Sequence, residues 1–345
     1  MLLREITEQL GGQFANEADV MPIHFGDVDL EVRAARSSAV VADRSARGKL
    51  LFKGADRESF LHGMLTNSVN GLQDGSGNHT ALTDAKGNVQ ADGWLYHCGD
   101  VLVMETEPGL QVKVKEFLEK FVIADDVEIL DWTASCAIIG IQGPQAGDIL
   151  EKVLAKELEL DPLAHEEVSI GDTDVRLVNR IYTGSPGFDL WVSEDAGTVF
   201  QCLIDAGAVP VGSEALETLR IEAGLPAYGV DVDERVVPLE ARMDDTVDFA
   251  KGCFIGHEVL AKMRNLGQPR RYLVGVELDG DNVPAPETEL TSDGKVVGVT
   301  KSGVRSATLG KTICLASVRR GFEAIGGTLV SADGVSCKVV ELPFA

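Results

Sequence analysis

Hydrophobic and polar positions switch between a period of two and a helical period along most of the chain. Short apolar runs between turn residues predict strands at 39–43 and 48–52, and apolar residues at helical spacing predict a helix over 110–121. From about Ala134 the order begins again, with a strand at 136–141 followed by a helix. Strands interleaved with helices in this way predict an α+β protein with two similar sheets.

The pattern changes after Gln268-Pro269. Short strands separated by glycine turns continue to Ala345, with one short helix expected over 315–320. This pattern predicts a small antiparallel β-barrel or sandwich that begins near residue 270.

Composition and charge narrow the function classes. The 345-residue chain carries a net charge of −24, which argues against a nucleic-acid-binding function because phosphate contacts need clustered cations. One basic group, Arg270-Arg271 with Lys262 and Arg264, faces either an anionic ligand or solvent. No apolar run is long enough to span a membrane, and the amino terminus has no signal-peptide pattern, so a cytoplasmic location is expected.

Six cysteines are scattered without any CxxC pair, so no metal site is predicted. Cys253 alone has polar, glycine-rich surroundings, in Lys251-Gly-Cys-Phe-Ile-Gly-His-Glu258. The cations Lys251 and His257 would lower the pKa of this thiol, whereas nearby aspartates would raise it if they lie close. The sequence is compatible with Cys253 as a functional thiol and with Cys253 as an ordinary loop cysteine. A hydrolytic Cys–His pair is disfavoured because no orienting group is evident.

Four further segments carry candidate polar residues. Asp92 begins a predicted strand and either holds an amine or a pterin-like ring or ends a turn. Asp189, which follows the turn that contains Tyr182, begins an apolar strand and needs a partner if it is buried. Arg220 and Glu222 lie two apart on a helix and cannot face each other, so one is expected to point into a cleft and the other to a neighbouring element. A structural ion-pair role is the alternative.

Several phrases in order along the chain together resemble the folate-binding superfamily that includes the glycine-cleavage T-protein (aminomethyltransferase). They are Val40-Val-Ala-Asp-Arg-Ser45, Phe60-Leu-His-Gly-Met-Leu-Thr-Asn67, Ile141-Gln-Gly-Pro-Gln-Ala146, Tyr182-Thr-Gly184, Leu219-Arg-Ile-Glu-Ala-Gly224, Tyr228-Gly-Val-Asp231 and Leu309-Gly310.

Within that superfamily the cysteine motif is similar to the YgfZ signature Lys-Gly-Cys-Tyr-x-Gly-Gln-Glu. Phe254 replaces the tyrosine and His257 replaces the glutamine, which adds a titratable group beside the thiol. The resemblance implies a ring of three domains around a central folate cavity. The expected parts are a first α+β domain (1–50 with 134–245), a second (51–133), the cysteine motif with a connecting helix (246–269) and a C-terminal β-barrel (270–345).

The resemblance also implies roles by position. Asp92 matches the second aspartate of the T-protein Asp-Asp-Leu motif, whereas Ala91 replaces the first. Asp189 stands where a glutamate contacts folate, and Met104-Glu105 replaces a usual Asn-Ala. These departures weaken the case for methylene transfer from an aminomethyl-lipoyl arm but are compatible with folate binding.

The sequence therefore predicts a tetrahydrofolate-binding, YgfZ-like protein that assists assembly or repair of iron–sulfur enzymes. Cys253 would be the working thiol, with Lys251 and His257 beside it. The expected folate contacts are Asp92, Asp189, Tyr182, Arg220 and Glu222, and the expected partners are folate and iron–sulfur client proteins. The alternatives are a folate-dependent aminomethyltransferase or demethylase, and a non-catalytic folate-binding scaffold.

Overall fold

The computed structural model describes residues 3–17 and 19–345. The chain packs into two compact units. The first runs to Arg57 and adds Leu72–Asn78 and Trp94–Leu219, and the second comprises Glu58–Gly71, His79–Gly93 and Arg220–Ala345. The domain boundaries expected from the sequence stay a prediction.

The α-helices are short. They are α1 (Leu3–Gln9), α2 (Val28–Ser37), α3 (Arg57–Met64), α4 (Leu110–Glu119), α5 (Ala146–Leu154), α6 (Ala196–Ala206), α7 (Ser213–Glu222) and α8 (His257–Leu266). Short 3-10 helices lie at Thr133–Ser135, Pro238–Glu240 and Asp244–Thr246. Across residues 3–17 and 19–345, none of these helices has the length and apolar character needed to cross a membrane.

The strands are β1 (Val40–Asp43), β2 (Gly48–Lys53), β3 (Gly77–Thr83), β4 (Val89–Cys98), β5 (Val101–Thr106), β6 (Glu128–Asp131), β7 (Ala137–Gln142), β8 (His165–Ile170), β9 (Thr173–Asn179), β10 (Gly187–Val192), β11 (Val209–Pro210), β12 (Arg271–Leu278), β13 (Glu289–Ser292), β14 (Lys295–Ser306), β15 (Lys311–Arg319), β16 (Thr328–Ser331) and β17 (Ser336–Val340).

One sheet has the strand order β11-β1-β7-β10-β9-β8. Its central strand β7 pairs antiparallel with both β1 and β10, and its apolar run is almost wholly buried. α5 and α6 cover this sheet through an apolar core that includes Ile139, Leu150 and Phe200. Because β7 pairs on both sides and is covered on its faces, its sequence is a continuous apolar run and does not alternate between apolar and polar residues.

A second sheet has the order β3-β4-β5-β2-β6, in which β2 pairs antiparallel with β5 and β6. α4 packs on β2, β5 and β6 through Val114 and Leu118, which are fully buried.

Strands β12 to β17 form a closed barrel in the order β12-β15-β14-β13-β16-β17. The helix expected over 315–320 is wrong, because Lys311–Arg319 forms β15 and pairs with β12 and β14. Closure gives every barrel strand two neighbours and leaves no free edge. The predicted fold class, two sheet domains with helices and a small C-terminal antiparallel barrel, is confirmed.

Candidate functional site

The first unit contains a buried ion cluster at the ends of strands that are distant in sequence. Arg44 directly follows β1, and its guanidinium donates to Glu105 Oε1 at 3.2 Å and to Asp189. Glu105 and Asp189 have fully buried side chains. Sequence reasoning predicts that a buried Asp189 needs a partner, and Arg44 is that partner.

Two more arginines surround Glu105. Arg47 pairs with Glu105 and with Glu107 at 2.7 Å, and Arg180 Nε lies 3.8 Å from Glu105 Oε2. We call Arg44, Arg47, Glu105, Arg180 and Asp189 the buried ion cluster. Burying a charge is costly unless it is paired, so the three arginines and their carboxylates stabilise one another only as a group.

Aromatic rings cover the flat faces of the guanidinium groups. Arg180 Cζ lies 3.4 Å from the centre of the Trp94 ring, and Arg44 Cζ lies 3.7 Å from that of Tyr182. Gly140 faces this ring, and a Cβ there would lie 2.0 Å from Tyr182 Oη. Gly140 therefore leaves the space that Tyr182 occupies.

Burial and charge act in opposite directions on the two acids of the buried ion cluster. Burial favours protonation of Glu105, but Arg47, Arg44 and Arg180 outweigh it and lower the pKa of Glu105 to about 2. Burial raises the pKa of Asp189. The Arg44 charge lowers this pKa only in part, and the Glu105 charge raises it further. Within residues 3–17 and 19–345, Asp189 Oδ1 and Tyr182 Oη are buried and have no hydrogen-bond partner.

The second unit holds a carboxylate–imidazole–carboxylate arrangement around Asp92. Asp92 Oδ2 on β4 lies 3.3 Å from His79 Nε2 on β3, and His79 Nδ1 lies 2.8 Å from Asp245 Oδ2. Asp92 is 8% exposed, and its other oxygen, Oδ1, is buried without a hydrogen-bond partner among the residues described. Asp92 therefore presents a carboxylate oxygen that can accept a hydrogen bond from a ligand N–H.

His79 is held at this position by its neighbours. Asn67 Nδ2 donates to the backbone carbonyls of His79 at 2.8 Å and Asp245 at 3.0 Å. Burial lowers the pKa of His79, but hydrogen bonds to Asp245 and Asp92 and their negative charges outweigh it, so the pKa is raised overall.

Arg220 and Glu222 make separate polar contacts in the second unit. Arg220 donates to Asp231 at 2.9 Å and to Ser302 at 2.6 Å, and fully buried Glu222 accepts from Ser306 at 2.5 Å. These contacts join the end of α7 to β14 and are of the structural kind that the sequence left open.

The cysteine motif also lies in the second unit, and Cys253 is exposed. Lys251 Nζ donates to the carbonyl oxygens of His62 and Leu65, the latter at 2.7 Å. Burial lowers the pKa of Lys251 to about 8, against the opposing charge of Asp248. His257 begins α8 and stacks edge-on against Phe254 at 5.1 Å. In the described parts of the chain, no hydrogen bond or ion pair reaches the Cys253 thiol.

The predicted site residues belong to both units. Asp189 belongs to the buried ion cluster and Tyr182 covers its Arg44 in the first unit. Asp92 lies in the second unit with His79, and Cys253 is exposed in the same unit. Sequence reasoning does not single out Arg44, Arg180 or His79. Arg44 lies within a phrase that carries the superfamily resemblance, whereas nothing in the sequence marks His79.

Comparisons with known proteins cover almost the whole chain. The family model described as GCVT N-terminal domain matches residues 3–251, and that of the glycine cleavage T-protein C-terminal barrel domain matches residues 271–345. Proteins named aminomethyltransferase from Rubrobacter xylanophilus and Nostoc sp. are each 31% identical over 94% of this chain and over 88% and 89% of their own lengths.

A solved structure agrees in fold. The crystal structure of glycine cleavage system aminomethyltransferase T from Bartonella henselae matches with a TM-score of 0.90, at 22% identity, over 99% of this chain and 97% of that chain. The resemblance to the T-protein superfamily is therefore confirmed, whereas none of these matches supports the finer YgfZ assignment.

Proposed function

Because the chain belongs to the glycine cleavage T-protein family, we propose that it is a tetrahydrofolate-dependent aminomethyltransferase. In this reaction a carrier-bound S–CH₂–NH₂ group gives its methylene carbon to tetrahydrofolate. Ammonia and the carrier thiol are released, and the two protons lost by the folate nitrogens go to the amine and to the sulfur. This is the alternative that the sequence left open, and the relatives favour it over an iron–sulfur role.

The proposal depends most on one observation: Asp92 Oδ1 is buried and has no hydrogen-bond partner among the described residues. A buried carboxylate oxygen without a partner is costly, and a ligand N–H removes that cost. Tetrahydrofolate, with several ring N–H groups, fits this acceptor. Bound folate supplies the nitrogen nucleophiles of the reaction, and Asp92 would orient them by accepting a hydrogen bond.

Glu105 no longer argues against methylene transfer. It is a departure from the family pattern, but its side chain is fully buried and paired with arginines in the buried ion cluster. The ion pairs of Glu105 account for its presence, so this residue is not evidence for or against methylene transfer. Roles for Asp189, Tyr182, Arg220 and Glu222 as folate contacts remain proposals.

The direct test is tetrahydrofolate binding by calorimetry. Asp92→Ala should weaken binding by at least about tenfold, which corresponds to about 1.4 kcal/mol for one lost hydrogen bond to a charged group. Asp100→Ala is the matched control, since Asp100 is an exposed acid in the turn after the same strand. Equal affinities of the two variants would remove Asp92 from the folate site.

Turnover separates this function from the iron–sulfur role. The wild-type protein should form methylene-tetrahydrofolate from an aminomethylated lipoyl carrier, and Cys253→Ser should retain that rate. The exposure of Cys253 is the structural observation that favours a working thiol. Absence of transfer by the wild type, together with loss of iron–sulfur enzyme activities in a deletion strain carrying Cys253→Ser, would favour the rival. A cytoplasmic location and iron–sulfur clients remain predictions from the sequence alone.

A further inference from the structure

The two nitrogen atoms of His79 face two carboxylates with very different exposure. The Asp92 side chain on β4 is 11% exposed, whereas that of Asp245, in the 3-10 helix Asp244–Thr246, is 65% exposed. The imidazole is 16% exposed and lies between them. One end of this line therefore lies inside the protein and the other lies in water.

The backbone around His79 preserves this alignment. Asn67 bonds the backbones of both His79 and Asp245, and Thr66 Oγ1 donates to the carbonyl of the next residue, Thr246, at 2.6 Å. Neighbouring side chains thus fix both the strand that carries the imidazole and the segment that carries the outer acid. Preorganised donors and acceptors at hydrogen-bond distance are what proton transfer requires.

We propose that His79 is a positioning and proton-relay residue that connects Asp92 to solvent through Asp245. This role rests on the proposed function, in which two protons must leave folate nitrogens and reach an amine and a sulfur. In an outward transfer His79 Nε2 accepts a proton from Asp92 while Nδ1 gives its proton to Asp245 and then to water. An inward transfer reverses both steps, so protons balance and the ring is unchanged apart from its tautomer.

The charge around the imidazole is consistent with this role. Asp92 on β4 and Asp245 in the 3-10 helix are charged groups that face His79, and both favour its protonated form. Neutralising Asp245 therefore makes His79 lose its proton at lower pH. A neutral side chain in place of His79 removes this titration and leaves Asp92 without its exchange route.

The experiment measures two quantities in parallel. NMR titration, with the His79 signal assigned by its loss in His79→Gln, gives the protonation midpoint of the ring, and the pH profile of kcat gives the midpoint of turnover. In Asp245→Asn both midpoints should move to lower pH together. In the matched control Asp244→Asn, which removes an exposed charge one residue away, neither should move. His79→Gln should lower kcat by about 10²-fold and remove that limb of the profile.

The outcomes separate the relay from the function. If the wild-type protein transfers the aminomethyl group but Asp245→Asn and Asp244→Asn have the same pH profile of kcat, the relay is refuted. The proposed function is then unaffected. An Asp245→Asn protein with an unmoved His79 titration refutes the relay whether or not turnover is detected. Absence of wild-type turnover with a shifted NMR midpoint refutes the proposed function and supports the proton coupling of the three groups.

Discussion

Removing the charge of Glu105 tests whether the buried ion cluster is stabilised as a group. Glu105→Gln keeps the size of the side chain but removes the carboxylate that all three arginines share, while Asp189 still pairs with Arg44 and Glu107 with Arg47. Taking one partner out of a buried ion pair costs about 3–5 kcal/mol. A pKa lowered from its ordinary value of 4.5 to about 2 independently corresponds to about 3 kcal/mol. The expected loss at pH 7 is therefore about 3 kcal/mol.

The response to pH has a definite sign. Because the pKa of Glu105 is lower in the folded state than in the unfolded state, its contribution is present above pH 4.5 and is lost as the pH falls towards 2. The stability difference between wild type and Glu105→Gln should narrow over that window. Asp189 offsets part of the loss, since the Glu105 charge is one of the causes that raise its pKa.

Tryptophan fluorescence during urea unfolding is a suitable assay. Trp94, Trp132 and Trp191 account for the three tryptophans of the chain, and all lie in the first unit, which contains the buried ion cluster. Glu107→Gln is the matched control, because Glu107 pairs with Arg47 but its side chain is 30% exposed, so its loss should cost about 1 kcal/mol or less. Equal destabilisation by the two substitutions would show that Glu105 is not the central charge of the buried ion cluster.

Two further predictions concern the second unit and the thiols. Iodoacetamide at pH 7, followed by peptide mass spectrometry, should modify exposed Cys253 well before Cys98, because burial raises the pKa of Cys98 to about 11; similar rates would contradict this. Arg319→Glu should stabilise the protein by about 0.5–1 kcal/mol and so raise its melting temperature in calorimetry, because Arg319 lies directly opposite Arg271 across β12 and β15. An unchanged or lower melting temperature would contradict repulsion between the two arginines.

The sequence predicts local structure well where the pattern is long. The helix expected after the cysteine motif is α8, and the strand expected at 136–141 is β7. The error at 315–320 has a physical cause. A short apolar run such as Ile313–Ala316 does not distinguish a helix from a strand, and pairing with β12 and β14 decides the matter.

The candidate site depends on contacts that no local pattern contains. The need of Asp189 for a partner follows from its apolar strand, but the partner Arg44 lies 145 positions away. His79 lies 13 positions from Asp92 and 166 from Asp245, so the line through the three groups exists only in the folded chain. Residue type and burial can therefore be predicted from the sequence, whereas pairing requires the structure.

The cysteine motif resembles the YgfZ signature, but the structure gives its lysine a different role. The sequence places Lys251 beside Cys253 as a cation that would activate the thiol. In the structure the Lys251 ammonium binds the carbonyls of His62 and Leu65, so its hydrogen bonds hold the loop.

Its neighbours in the motif also have packing roles. Phe254 is buried, and the Ile255 carbonyl accepts from Thr83. Gly256 has a φ of 88°, and a Cβ there would lie 2.6 Å from the carbonyl oxygen of Asp84. A side chain other than hydrogen is therefore excluded at Gly256 by both conformation and space. Lys251, Phe254 and Gly256 thus have packing roles that do not need a reactive thiol. The motif is therefore compatible with an aminomethyltransferase in which the exposed Cys253 takes no part in the reaction.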